Sequence, residues 1–264
     1  MLRRVLAVAV VVWMGAIRRK DVYVILVLLG ALLGAVVSAD VFGLGGVVTY
    51  VKDVGLLLAW IFGWILAVMT ASRELPAEES RGTIFALVAK PVSRLDIILG
   101  KWLGAWSMTT CAVALFYLLV VAAVAGRGGH FDTRALLQGM LLHSLCLAVL
   151  AALGVLFSTR LNSDAATALT AVVSAASFLV VPRIPELQAA DPEAGAWRLD
   201  LLYHLLPHFE VFDMRLRMVH DFGPVDAGTL LEILGYGVSL TALLIALAWL
   251  AYRNKPFNRG DIAS

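Results

Sequence analysis

Few residues in this sequence combine the type and the spacing that chemistry needs. His204 and His208 are four apart and would share a helix face if Pro207 permits one, with Glu210, Asp213, His220 and Asp221 nearby in sequence. Two imidazoles without a third placed ligand are weak evidence for a metal, and histidines at a membrane interface are the plainer reading. His143 lies inside a long apolar run. There it is a candidate for lining a translocation path and, equally, for a neutral packing role. Cys111 and Cys146 both fall in apolar runs, which predicts free, buried thiols and neither a disulfide framework nor a zinc site. Gly100-Lys101 is the only Gly-Lys pair, but Trp102 follows it and the glycine required upstream for a phosphate-cradling loop is missing. The expectation is therefore no catalytic residue, no cofactor and no metal. The chain is not expected to bind or hydrolyse ATP alone.

The elements that position these residues are set by composition. The 264 residues are 61% hydrophobic and only 15% charged, with a mean hydropathy of +0.89. Soluble domains carry about 25% charged residues, so the chain reads as a polytopic, all-α membrane protein. No nucleic-acid partner is expected. Uncharged or nearly uncharged runs predict six spans at about 22–39, 54–71, 102–125, 135–158, 165–181 and 229–252. Residues 1–20, with Trp13 and basic clusters at both ends, predict an interfacial entry helix. Gly30 and Gly34 form a small-xxx-small pair suited to close helix packing. The long polar segment 183–228 predicts outer interfacial helices, with a start signal at Asp191-Pro192-Glu193 and a break at Pro207. Asn162 is placed to cap the fifth span.

Between the second and third spans, 73–101 mixes charge with apolar residues. Thr83 is positioned to cap a short helix over Ile84 to Ala89, and Pro91 stops it. Ser93 and Asp96 then form a capping box that starts the next helix. Fourteen Lys or Arg lie on the side shared by the termini and this segment, and seven on the other. The positive-inside rule places the termini and the segment in the cytoplasm.

The segment resembles the loop between the second and third spans of type-2 ABC exporter permeases. The resemblance rests on Glu78 and Glu79, Gly82-Thr83, the apolar patch Ile84 to Val88, Pro91-Val92-Ser93-Arg94, and Gly100-Lys101. It extends along the chain through the six spans, the entry helix and the outer segment. There Leu206-Pro207-His208 is similar to the family's leucine-proline-asparagine stretch, with His208 replacing the asparagine. The resemblance implies that Ile84 to Ala89 is a coupling helix docking on a separate cytoplasmic ATPase subunit. Ile84, Phe85 and Val88 would supply apolar contact, and Glu78, Glu79, Arg81 and Arg94 would orient it by charge. It also implies a second permease subunit and a multi-pass protein of the cytoplasmic membrane in contact with its lipids. Two other classes stay open on residues alone. An ion-coupled secondary transporter would call for buried carboxylates, and Glu232 is the only acid in an expected span. A membrane-embedded enzyme would call for clustered catalytic side chains, which only the region from His204 to Asp221 approaches.

Overall fold

A computed structural model describes residues 1–18, 20–38, 46–80, 92–190 and 196–255. Every regular element among them is helical: α1 (Leu2–Arg18), α2 (Asp21–Ser38), α3 (Val47–Ser80), α4 (Arg94–Gly126), α5 (Thr133–Ser158), α6 (Ser163–Leu179), α7 (Ile184–Ala190), α8 (Ala196–Leu205), α9 (Arg215–Val219) and α10 (Ala227–Tyr252). Short 3-10 turns occupy Val181–Arg183 and Phe209–Phe212. Among the described residues five stretches are long and apolar enough to cross a membrane: Val47–Ser80, Arg94–Gly126, Thr133–Ser158, Ser163–Ala189 and Ala227–Tyr252. Helix α2 contributes a shorter apolar stretch, Tyr23–Val36.

The caps fall where side-chain chemistry demands them. Ser93 Oγ accepts from the Asp96 amide at 3.1 Å, and the Asp96 carboxylate accepts from the Ser93 amide at 3.0 Å, which is the full capping box. Asn162 Oδ1 accepts from the Ala165 amide at 2.8 Å, as its position in the sequence predicts. Asp132 and Asp226 cap α5 and α10 in the same way.

Helix α5 is the centre of the bundle, packing against α3, α4, α6 and α10. Leu142, Leu147, Val149, Leu150 and Ala152 are all buried. Helices α3 and α4 run antiparallel at close range because glycines remove a side chain from the contact. A Cβ on Gly55 would lie 2.9 Å from Val120, and one on Gly63 would lie 2.7 Å from Val113.

Helix α1 packs on α4 through Val5, Val8, Ala9, Val12 and Ala16, one helical stripe. Gly100 and Gly104 make the approach possible: a Cβ there would stand 2.5 Å from Val8 and 2.7 Å from Val12. The Trp13 indole N–H donates to Ser107 Oγ at 2.8 Å. Lys20, with φ of 60°, turns the chain between α1 and α2 in the left-handed region. The pair expected to mediate packing, Gly30 and Gly34, has no neighbour within 4 Å of either Cβ position. Cys146 is buried as expected but Cys111 is exposed, because it lies on the outward face of α4.

Two helices are longer than their apolar runs. Helix α3 continues past Ala71 through Arg73, Glu74, Pro76 and Glu79 to Ser80, and α4 begins at Arg94, before the apolar run. A large part of 73–101 is thus helix. The expected N-cap Thr83, the helix Ile84 to Ala89, and Pro91 lie outside the described residues, as does Asp191-Pro192-Glu193.

The segment between α6 and α10 is fastened across one end of the bundle. Lys52, on α3 and almost fully buried, donates to both oxygens of Asp221 at 2.9 Å. Gln138 exchanges two hydrogen bonds with the Val225 backbone at 3.0 and 2.8 Å. Met218 fills the space left by Gly139, and the His208 amide donates to Tyr236 Oη at 2.8 Å. Helix α8 ends at Leu205, just before Pro207. Beyond it the apolar stripe buries Phe212, Met214 and Met218 but leaves Val211 facing outward.

Candidate functional site

The charged residues singled out around 73–101 converge on one end of the bundle, where α3 ends, α4 begins and α10 ends. Glu74 and Glu78 are one turn apart on α3, so both carboxylates face the same neighbour. That neighbour is Lys101 of α4, whose ammonium lies 3.4 Å from Glu74 and 2.5 Å from Glu78. The Lys101 side chain is 1% exposed. A charge so withdrawn from water is tolerable only with its partners in place.

Glu79 points to a different partner, accepting from Lys255 Nζ at 2.7 Å. Arg94, the first residue of α4, donates from Nη1 to the carbonyl oxygens of Tyr252 and Lys255 at 2.7 and 2.8 Å. Its guanidinium also lies 5.8 Å from the centre of the Tyr252 ring. Arg4 of α1 approaches Asp96 at 3.9 Å. Beneath these charges Ala71, Leu75, Ile97, Ile98, Ala105, Ala151, Val155, Ala248 and Tyr252 form a separate apolar cluster. The ends of four helices are therefore joined by charge above a dry layer.

Of the residues expected to meet an ATPase, Glu78, Glu79 and Arg94 are brought together here, each engaged within the chain. Arg81, Gly82, Thr83, Ile84, Phe85, Val88 and Pro91 lie outside the described residues. Three participants escaped the sequence reading: Glu74, Lys255 and the backbone carbonyls of α10. Glu74 had a signal, since acids spaced i, i+4 ahead of a lone lysine in an apolar run invite pairing. Lys255 had none, because it lies more than 170 residues from Glu79.

His143 is at a second place, in the interior between α3, α4 and α5, 1% exposed. Its ring stacks on Trp60 with centroids 4.2 Å apart, and Tyr117 lies 5.8 Å away. Gly63 makes the room, since a Cβ there would be 3.2 Å from His143 Nε2. Arg215 lies 5.4 Å from the Trp60 ring, held by a bidentate contact to Asp213 at 2.7 to 3.0 Å. His204 and His208 do not converge. His204 is exposed beside Asp200, whereas His208 faces Glu210 at 2.8 Å and the Tyr203 carbonyl at 3.0 Å. Among the described residues no group of three His, Cys, Asp or Glu is arranged to hold a metal ion.

No curated protein matches the chain significantly. A family model does: the one described as ABC-2 family transporter protein matches residues 6–259. With a charged, helix-joining end, a helical membrane bundle and a match over nearly its whole length, the chain belongs to the ABC-2 transporter family, the membrane subunits of ABC transporters and not their catalytic ones.

Proposed function

We propose that the chain is the permease of an ABC exporter, driven by ATP hydrolysed on a separate cytoplasmic ATPase subunit. It crosses the cytoplasmic membrane six times with both termini inside, and a second permease subunit completes the path. The outward apolar faces of its helices, such as Leu231, Val238, Leu243 and Leu250 on α10, meet membrane lipid. His143, stacked on Trp60 between α3, α4 and α5, contributes to the translocation path.

One observation carries the reading: the helix ends on both sides of 81–91 are held in a charged cluster at the end of the bundle to which the positive-inside rule assigns the cytoplasm. A segment so flanked, with Ile84, Phe85 and Val88 in its sequence, supports an ATPase-docking role. Ile84, Phe85 and Val88 supply the apolar contact, and Arg81 with Gly82, Thr83 and Pro91 shapes and orients it. Glu78, Glu79 and Arg94 act by bracing the two flanks.

The test is Phe85→Asp. Placing a carboxylate in an apolar contact costs a few kcal/mol, weakening docking on the order of a hundredfold. Co-purification of the ATPase and its stimulated hydrolysis should both fall, with insertion intact. Full complex formation in that variant would remove the docking claim. ATP-independent transport by the purified chain, driven by an ion gradient, would instead support a secondary transporter.

A further inference from the structure

Three contacts join the end of α10 to the flanks of 81–91, one from the end of α3 and two from the start of α4. Glu79 is the penultimate residue of α3, and Arg94 is the first of α4. Both reach the same short stretch, from Tyr252 to Lys255. We propose that Arg94, Glu79 and Lys255 form a clasp that makes α10 follow the flanks of 81–91, so that α10 is moved when the ATPase moves that segment. The proposal rests on the permease reading above and names Lys255 as a positioning residue that contacts neither ATPase nor substrate.

The geometry suits transmission. The last carbonyls of a helix have no partner within it, and they carry the negative end of its dipole. Arg94 satisfies two acceptors in this region with one guanidinium nitrogen, a charge-assisted contact. The Glu79–Lys255 pair is about one-fifth exposed on each side, so water and salt screen it less than a free surface pair. Tyr252 anchors the same turn by packing, fully buried with Leu75 of α3 and Ile97 and Ile98 of α4. Lys101 joins α3 to α4 just beside it through Glu74 and Glu78, so the two flanks form one unit. A displacement of that unit must break the clasp or carry the end of α10 along.

The experiment uses the full chain with its ATPase subunit in lipid nanodiscs. Spin labels go on Leu169→Cys of α6 and Leu250→Cys of α10, both exposed, in a Cys111→Ala background; Cys146 is buried and stays. The probe is Mg-ATP, and the reading is the distance distribution between the labels. Mg-ATP should shift it in the parental complex. Lys255→Glu should abolish the shift while the ATPase stays bound and hydrolysing, and adding Glu79→Lys should bring the shift back. A purely structural role would lower assembly or hydrolysis along with the movement, so loss of the shift with both intact, reversed by exchanging the charges, marks the clasp. If Lys255→Glu fails to assemble, Lys255→Gln, which removes the charge without repulsion, carries the same expectation. A shift that persists in the Lys255 variants, or none in the assembled parental complex, overturns the clasp. A parental chain that binds no ATPase overturns the permease reading and the clasp with it.

Discussion

Lys101 shows how much a single residue depends on its partners. Its ammonium ends between Glu74 and Glu78 with almost no access to water. Removing Lys101 takes the shared ammonium from two carboxylates that are themselves largely withdrawn from water. Lys101→Met should therefore cost about 3–5 kcal/mol, seen as a large drop in the thermal unfolding temperature of the detergent-solubilised chain. Adding Glu74→Leu and Glu78→Met should recover much of the loss, since a well-packed apolar replacement of a buried charge cluster is often neutral or better. If the triple variant melts as low as the single one, the cluster contributes attraction beyond compensating its own burial. Read as sequence, Lys101 was only the second half of a Gly-Lys pair at the start of an apolar run. Its charge was legible but its partners were not.

At the scale of elements, the crossing of α1 over α4 separates two glycine pairs that look alike in sequence. Gly104→Leu would drive its side chain into Val12 Cβ and the Ala9 carbonyl, 2.7 and 2.9 Å from the new Cβ. Overpacking of this kind costs about 1–3 kcal/mol. It should also lift α1, so that a cysteine at buried Ala9 gains reactivity toward a thiol reagent. Gly34→Leu should change neither stability nor labelling, because nothing lies within 4 Å. Unchanged protection of Ala9→Cys in Gly104→Leu would mean α1 rests elsewhere. The capping box that begins α4 and the Asn162 cap that begins α6 were legible, because each is settled by residues three apart. The extension of α3 to Ser80 was not. Arg73, Glu74, Glu78 and Glu79 read as a polar loop until Lys101 and Lys255, brought from distant sequence, pair with three of them.

For the whole molecule, the orientation rests on where its cations lie. Ser80→Cys, exposed at the end of α3, and His130→Cys, exposed in the turn between α4 and α5, sit at opposite ends of the bundle. On intact cells an impermeant thiol reagent should label His130→Cys and leave Ser80→Cys unreacted until the membrane is opened. The reverse pattern would turn the chain over and place 81–91 out of reach of any cytoplasmic ATPase.

The sequence by itself determined the class of solvent, the helical build, most helix starts and the family, because each depends on composition or on residues a few positions apart. Hydropathy, capping and a loop motif are local quantities. Only the tertiary structure decided that Gly100 and Gly104, not Gly30 and Gly34, carry a helix crossing, and that Cys111 faces outward. It alone stacked His143 on Trp60, drawing the histidine into the protein interior. It also turned Glu79 and Arg94 toward the end of α10. Which face of a helix is covered, and which charge finds which partner, depends on how the helices pack together. Burial then selects the pairings, since in a bundle with so little charge an ion withdrawn from water must be met by another.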